Sequence, residues 1–136
     1  MFERNCKKPR VLIVDDEPEI RETLRERLEF NDMAVITATD GQKGLAAAIA
    51  DKPDVIITDI AMPVMDGIEM IRAFRAAEND RHIPIIVITG SGRREDFAAA
   101  RELYVDECLQ KPFEMSELLG KIENLLELST ANASLH

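Results

Sequence analysis

Three acidic residues stand directly after two short apolar runs of this 136-residue chain. Asp15 and Asp16 follow the run at residues 11–14, and Asp59 follows the run at residues 55–58. If both runs are neighbouring strands of a parallel sheet, their carboxyl ends share one edge and the three carboxylates converge there. Each pair of such charges repels by roughly 4 kcal/mol at about 4 Å in an effective dielectric of about 20, so a cation must offset them.

This arrangement favours divalent-metal and phosphoryl chemistry. Oxygen ligands without a neighbouring His or Cys favour Mg²⁺ over softer metals. Thr89 and Lys111 follow two later apolar segments, where they would supply a hydroxyl and a compact positive charge for phosphoryl oxygens. Each residue also has a plain structural alternative. Asp15 or Asp16 could cap a helix that begins near Pro18, Thr89 could lie in a turn, and Lys111 in a solvated loop.

The apolar pattern predicts an α/β fold. Short β-branched runs alternate with segments of helical period, which indicates a parallel sheet covered by helices on both faces. The predicted strands are residues 11–14, 35–37, 55–58, 85–88 and 107–109. A flavodoxin-like doubly wound sheet in the order 2-1-3-4-5, with five helices, binds ligands at the carboxyl ends of its first and third strands. The acidic residues follow those two strands.

Five helices are predicted between and after the strands. Three show apolar residues at helical spacing. Their core-facing stripes are Ile20, Leu24 and Leu28, then Ile68, Ile71 and Phe74, and finally Leu118, Ile122, Leu125 and Leu126. The other two are predicted from the Ala-rich segments 45–50 and 97–103. We expect one domain over residues 10–128, an N-terminal extension over residues 1–9 and a polar tail over residues 129–136.

Composition excludes several classes of function. A formal charge of −9 repels polyanions and argues against direct nucleic-acid binding. The apolar runs are too short to cross a bilayer and the first ten residues lack the apolar stretch of a signal peptide, so we expect no membrane association and a cytoplasmic location. Cys6 and Cys108 lie far apart, without metal-ligand spacing, and are expected to be free thiols.

Four motifs resemble those of the response-regulator receiver family. They are VLIVDD ending at Asp16, DIAMPVMDG from Asp59 to Gly67, the triplet Ile88-Thr89-Gly90, and LQKPF ending at Phe113. The resemblance covers about residues 10–128 with the motifs in the family's order. It implies a switch of a two-component phosphorelay that accepts a phosphoryl group from a histidine kinase, a phosphotransfer protein or a small acyl phosphate. Such a domain catalyses only its own phosphorylation and dephosphorylation.

The resemblance also implies roles for single residues in the phosphoryl chemistry. Asp59 is the nucleophile and phosphoacceptor. Lys111 binds the phosphoryl oxygens, and Thr89 donates its hydroxyl to them and acts as a switch residue. The family often has a cis peptide bond after this lysine, so a cis bond between Lys111 and Pro112 is predicted.

The cofactor that the resemblance implies is Mg²⁺. The metal is expected to contact the carboxylates of Asp16 and Asp59 and the backbone carbonyl of Ala61. Asp15 is expected to act largely through water. These four residues form the predicted metal site, which shares the acceptor carboxylate with the phosphoryl chemistry.

Two positions depart from the family's pattern. Cys108 stands where receivers usually carry Tyr or Phe, so the rotating ring of the usual switch is missing and a small side chain packs in its place. Tyr104 replaces the Gly often found at the end of the fourth helix. The resemblance places the effector-binding face on the fourth helix, fifth strand and fifth helix. Candidate contacts there are Arg93, Arg101, Tyr104 and Lys121.

Two other functions remain open. A degenerate receiver would act as a docking module that needs no phosphorylation, and failure of Asp59 to react with acetyl phosphate and Mg²⁺ would indicate it. A Mg²⁺-dependent phosphohydrolase would use Asp59 as a transient nucleophile on external substrates. The sequence favours this second function less, because Ala61 stands where a second carboxylate would be expected and no insertion encloses a substrate.

Overall fold

The chain forms a single parallel sheet with helices on both faces, as seen in a computed structural model that describes residues 8–77, 82–90 and 92–134, with side chains as far as residue 128. The strands are β1 (Arg10–Val14), β2 (Ala34–Ala38), β3 (Val55–Thr58), β4 (Ile85–Thr89) and β5 (Glu107–Gln110). The helices are α1 (Pro18–Phe30), α2 (Gly41–Asp51), α3 (Gly67–Ala77), α4 (Arg94–Glu102) and α5 (Met115–Ser134). The strand order β2-β1-β3-β4-β5 confirms the predicted flavodoxin-like fold.

Alternate residues of the three central strands face opposite sides of the sheet, which creates two separate cores. On one side, Val11 and Ile13 of β1 pack with the apolar stripes of α1 and α5. On the other side, Leu12 and Val14 pack with α2, α3 and α4. Residues that point to either side are buried, which is why these strands read as continuous apolar runs in the sequence.

Short-range signals set the starts of the helices that flank the site. Pro18 is the first residue of α1, where its missing N–H and fixed φ suit the first turn. The Asp40 carboxylate accepts the N–H of Lys43 at 2.8 Å and caps α2. Asp66 and Glu69 form a reciprocal capping box at α3, in which each carboxylate accepts the other residue's N–H, at 2.8 and 3.0 Å. These features fix the residues at which the loops after the strands end and the helices begin.

The predicted elements all occur, with ends that differ by a few residues. Both Ala-rich segments are helical, and the Lys111–Pro112 peptide bond is cis as predicted. The helix α5 continues through Ser134 and does not end near residue 128. The division into extension, domain and tail stays a prediction, and residues 1–7, 135 and 136 lie outside the described residues. Among the described helices, none is both long and apolar enough to cross a bilayer.

The C-terminus of α4 ends in a Schellman motif that has a tyrosine where glycine is favoured. The Val105 N–H donates to the Ala100 carbonyl at 3.3 Å, and the Tyr104 N–H donates to the Arg101 carbonyl at 3.0 Å. Tyr104 adopts the left-handed region, with φ of 57°, and its side chain is 80% exposed. Because the ring is barely buried, little packing offsets the steric cost of a Cβ in this conformation.

We therefore expect Tyr104→Gly to raise the free energy of unfolding by about 0.5–1 kcal/mol, since glycine removes the left-handed penalty but adds freedom to the unfolded chain. Urea unfolding measures the change. Tyr104→Ala is the matched control, because it removes the ring and keeps the Cβ, and it should give no gain. Equal stabilisation by both substitutions would attribute the effect to the ring and contradict the backbone explanation.

Candidate functional site

The carboxyl ends of β1, β3 and β5 meet around one ammonium group. The Lys111 Nζ contacts three carboxylate oxygens: Asp15 Oδ2 at 3.2 Å, Glu17 Oε1 at 2.7 Å and Asp59 Oδ2 at 2.9 Å. The Asp15 and Asp59 side chains are buried, at 3% and 7% exposed, whereas Glu17 is 56% exposed. The structure thus brings together Asp15, Asp59 and Lys111, as the sequence predicted, and adds Glu17.

The backbone around Asp59 fixes the direction of its carboxylate. The Asp59 N–H donates to the Val14 carbonyl at 3.0 Å, which continues the β1–β3 pairing to the strand end. The Ile60 N–H donates to Asp59 Oδ1 at 2.6 Å. With Oδ1 held by the backbone, Oδ2 is the oxygen that faces the Lys111 ammonium. One oxygen of the carboxylate is therefore anchored and the other is directed at the positive charge.

The loop after β1 separates its acidic residues. Asp15 Oδ1 accepts the Glu17 N–H at 2.9 Å, and both side chains turn toward Lys111. Asp16 is exposed and lies outside the group of mutually close carboxylates that the described residues form. β1 ends at Val14 and the chain bends at Asp16, so the loop directs Asp15 and Glu17, but not Asp16, to the ammonium. The predicted contact of Asp16 with a metal stays a prediction. The alternative in which Asp15 or Asp16 is the N-cap of α1 does not hold, because the N-cap residue is Glu17 and its side chain makes no capping bond.

Burial and charge act on the site's pKa values in opposite directions. Burial raises the pKa of Asp15, the Glu17 N–H and Lys111 act to lower it, and the Asp59 carboxylate adds to the rise. Burial acts to lower the pKa of Lys111, but hydrogen bonds from its ammonium to Glu17 and Asp59 outweigh that and raise it above its ordinary range. Lys111 therefore carries a full positive charge at neutral pH.

Thr89 and Ala61 flank this group of charges. Thr89 is the last residue of β4 and is fully buried, and its carbonyl accepts the Lys111 N–H at 2.8 Å. This bond ties the end of β4 to the backbone of the lysine. Ala61 is exposed in the loop after Asp59. The roles of the Thr89 hydroxyl and the Ala61 carbonyl stay predictions.

Cys108 lies in β5, opposite Val87 of β4, and packs against the core on the α4 side of the sheet. It is half-buried and is a free thiol, as predicted, whereas Cys6 lies outside the described residues. Burial raises the pKa of the Cys108 thiol, which keeps it protonated at neutral pH. A neutral, packed thiol fits the expected role of a small apolar side chain.

The carboxylates could hold one divalent cation. One oxygen from each of Asp15, Glu17 and Asp59 lies within 4.8 Å of the others. Three carboxylates and one ammonium leave two uncompensated negative charges at this edge of the sheet, which one divalent cation would neutralise. Oxygen ligands of this kind suit Mg²⁺ better than a thiophilic metal. The residues present therefore fit the cofactor that the sequence predicted.

Comparison with known proteins assigns the family. The model of the response regulator receiver domain matches residues 11–123. The chain belongs to the response-regulator receiver family. The receiver domain is 38% identical over 128 residues to the transcriptional regulatory protein PrrA of Mycobacterium tuberculosis and 37% identical over 121 residues to the response regulator MprA of Mycolicibacterium vanbaalenii. The matched regions cover 93% and 89% of this chain but only 54% and 52% of the two relatives. The chain therefore spans about half the length of these relatives.

Solved receiver structures share its fold. The chemotaxis protein CheY4 of Vibrio cholerae is similar with a TM-score of 0.80 and 33% identity, over 87% of this chain and 98% of that one. A CheY-like receiver domain protein of Methanospirillum hungatei is similar with a TM-score of 0.87 and 26% identity, over 92% of this chain and 98% of that one. The strand order and helix count predicted from the sequence are those of this family.

Glu17 is the site residue that sequence reasoning missed. The adjacent pair Asp15 and Asp16 drew attention because paired carboxylates suggest a metal site. Residue spacing alone does not single out Glu17, because its side-chain direction is set by the turn between β1 and α1, which bends at Asp16.

A glycine brings the start of α3 against the acceptor loop. The Gly67 N–H donates to the Ile60 carbonyl at 2.8 Å, and a Cβ at Gly67 would overlap with the Asp59 carbonyl oxygen. We expect Gly67→Ala to lower the free energy of unfolding by about 1–3 kcal/mol, because the overlap is with backbone that cannot move without shifting the loop. Urea unfolding and the amide NMR signals of residues 59–67 measure the effect.

Gly120 supplies the control for this substitution. It lies in α5 and is exposed, and a Cβ there meets nothing within 4 Å. Gly120→Ala should therefore raise the free energy of unfolding by about 0.5–1 kcal/mol through helix propensity alone. Stabilisation by both substitutions would show that the loop tolerates a Cβ at Gly67 and contradict the close approach.

The raised pKa of Asp15 predicts that replacing its carboxylate with a neutral side chain stabilises the folded protein in a pH-dependent way. A raised folded-state pKa means that the contribution of Asp15 to stability is complete below its unfolded-state pKa of about 3.9 and is lost as the pH rises through the folded-state value. In the absence of divalent cations, Asp15→Asn should therefore raise the free energy of unfolding near neutral pH, and the gain should vanish near about pH 3. Asp16→Asn is the matched exposed control. A less stable Asp15→Asn protein at neutral pH would contradict the prediction.

Proposed function

We propose that this receiver domain is a phosphorylation-activated signalling switch that accepts a phosphoryl group on Asp59 and thereby changes which partners it binds. The donor is the phosphohistidine of a histidine kinase or phosphotransfer protein, or a small acyl phosphate. The observation that carries the proposal is the pairing of Asp59 Oδ2 with the Lys111 ammonium at 2.9 Å, beside two further carboxylates at the same sheet edge. This arrangement supports the proposal, because it would put the acceptor oxygen beside a positive charge and beside carboxylates that could hold a cation.

The anchored carboxylate suits nucleophilic attack on phosphorus. Asp59 Oδ1 is held by the Ile60 N–H, so we assign Oδ2 as the attacking oxygen. With acetyl phosphate, the Asp59 oxygen bonds to phosphorus as the bond from phosphorus to the acetyl oxygen breaks, and acetate leaves with the electron pair. Lys111 stabilises the negative charge on the phosphoryl oxygens during transfer, with the Thr89 hydroxyl as a second donor.

Mg²⁺ is the proposed cofactor. Bound there, it would neutralise charge on the carboxylates and on the phosphoryl oxygens. Asp16, Asp59, the Ala61 carbonyl and water-linked Asp15 are the ligands implied by the family, and the geometry adds Glu17 as a further oxygen near the same position. Asp15 and Asp59 are common to both sets.

The proposed effector face consists of α4, β5 and α5. Tyr104 is largely exposed at the end of α4, and Lys121 of α5 forms an ion pair with Glu107 of β5 at 2.9 Å across this face. Arg93 and Arg101 are exposed on or beside α4. Moving a two-state domain from mostly inactive to mostly active takes about 5.5 kcal/mol, which two or three charge-assisted hydrogen bonds to the phosphoryl group, each of about 1.5–3 kcal/mol, can supply.

We propose that these residues catalyse only the domain's own phosphorylation and dephosphorylation. We also propose that the domain acts in the cytoplasm. Although the mycobacterial relative PrrA is named a transcriptional regulatory protein, this chain spans about half its length. We propose no direct nucleic-acid contact for the receiver domain itself, because the formal charge of the 136-residue chain is −9.

Incubation with acetyl phosphate and Mg²⁺, followed by intact-mass measurement, tests the acceptor. The wild-type protein should gain one phosphoryl group, and Asp59→Asn should gain none, because the amide lacks a nucleophilic carboxylate oxygen. Chelation of Mg²⁺ should abolish the gain. Asp32→Asn is the matched control, since Asp32 is an exposed carboxylate in a left-handed turn that asparagine also favours.

The two alternative functions predict different results in these experiments. An unreactive wild-type protein would favour the docking module that needs no phosphorylation, and equal phosphate gain by wild type and Asp59→Asn would defeat the acceptor assignment. Turnover of many phosphate esters per protein would favour the phosphohydrolase. Amide NMR signals of α4 and β5 that stay unchanged on phosphorylation would contradict the proposed effector face.

A further inference from the structure

All the hydrogen-bond donors of the Lys111 ammonium are engaged. An ammonium has three N–H donors, and Lys111 Nζ contacts three carboxylates, on Asp15, Glu17 and Asp59. The shortest contact, at 2.7 Å, is the one to Glu17. A phosphoryl group that arrives at Asp59 therefore meets an ammonium whose donors are occupied, and a donor must be released for it to gain a new bond.

The three carboxylates differ in how readily they can release the lysine. Asp15 and Asp59 are buried, so loss of their partner would leave a charge without compensation. Glu17 is more than half exposed, so its carboxylate can exchange the ammonium for water at small cost. While the phosphodonor is still intact and Asp59 is still ionised, the contact that costs least to displace is therefore the one between Lys111 and Glu17.

Besides its place in the possible cation site, the Glu17 side chain contacts Lys111 and makes no other hydrogen bond or ion pair among the described residues. Glu17 is the N-cap residue of α1, but its side chain makes no capping bond there. Its backbone groups make the hydrogen bonds at the start of α1. The N–H donates to Asp15 Oδ1 at 2.9 Å and the carbonyl accepts the Arg21 N–H at 3.1 Å. A substitution that changes only the carboxylate should leave the start of the helix intact.

We propose that Glu17 is a positioning residue that holds the Lys111 ammonium in the unphosphorylated state and competes with the incoming phosphoryl group for it. The inference rests on the proposed function, because the competition matters only if Asp59 is the acceptor. Glu17 thereby sets the rate at which the domain acquires a phosphoryl group. A domain with this contact responds more slowly to small acyl phosphates than one in which the third donor of the lysine is open to them.

Phosphorylation kinetics of two Glu17 variants test the contact. With acetyl phosphate, and with Mg²⁺ at concentrations that calorimetry shows to saturate each variant, Glu17→Gln should be phosphorylated about two- to fivefold faster than wild type, the range that a partly exposed ion pair supports. Glu17→Asp keeps the charge but shortens the side chain by one methylene, so we expect it to hold the ammonium less well. It should also be faster than wild type.

Glu19→Gln is the matched control, because it removes the same charge from the first turn of α1, and its rate should equal that of wild type. A Glu17→Gln rate at or below that of wild type would overturn the inference. A fast Glu17→Gln with Glu17→Asp at the wild-type rate would assign the effect to charge alone and also overturn it. Absence of phosphate on the wild-type protein would instead refute the proposed function, so the two failures are distinguishable.

Discussion

The ion cluster around Lys111 is the constraint on which the rest of the site depends. Two buried carboxylates at the ends of adjacent strands repel by several kcal/mol at the effective dielectric of a protein interior. The lysine that balances them comes from the end of β5, which is separated from β3 by β4. Its position depends in turn on the hydrogen bond from its N–H to the Thr89 carbonyl at 2.8 Å. The ends of four strands must therefore be correctly placed before the charges are balanced.

Such a site is held in place by apolar packing elsewhere. Central strands that are buried on both faces, with helices packed over each, keep the strand ends in register while the loops carry the polar groups. Burial at the strand end raises the pKa of Asp15, because a carboxylate withdrawn from water ionises less readily. A divalent cation or a further positive contact at this edge would act in the opposite direction and favour the ionised carboxylate.

The sequence was sufficient for the fold and for the position of the site, and insufficient for the directions of individual side chains. Strand ends could be predicted because β-branched runs stop where acidic residues begin, as at Asp15 and Asp59. Whether Asp16 or Glu17 joins them depends on the backbone dihedrals of the loop, which bends at Asp16 and does not follow the two-residue period of a strand. The left-handed φ of Tyr104 could be predicted, because the residue stands at a position where glycine is favoured. The exposure of its side chain could not, because it depends on how α4 packs.

With a small side chain at Cys108, any coupling between the site and the proposed effector face would have to run through the backbone. Lys111 and Thr89 are joined by a hydrogen bond, and the pairing of Thr89 with Gln110 continues it along the β4–β5 ladder. Cys108 pairs with Val87 two residues further down the same ladder. A displacement of Lys111 when it changes partner would therefore act on the end of β5 directly, without rotation of an aromatic ring. Because α4 packs on β4 and β5 through Ala100 and its neighbours in the same core, the shift would reach the proposed effector face through main-chain pairing and apolar contact.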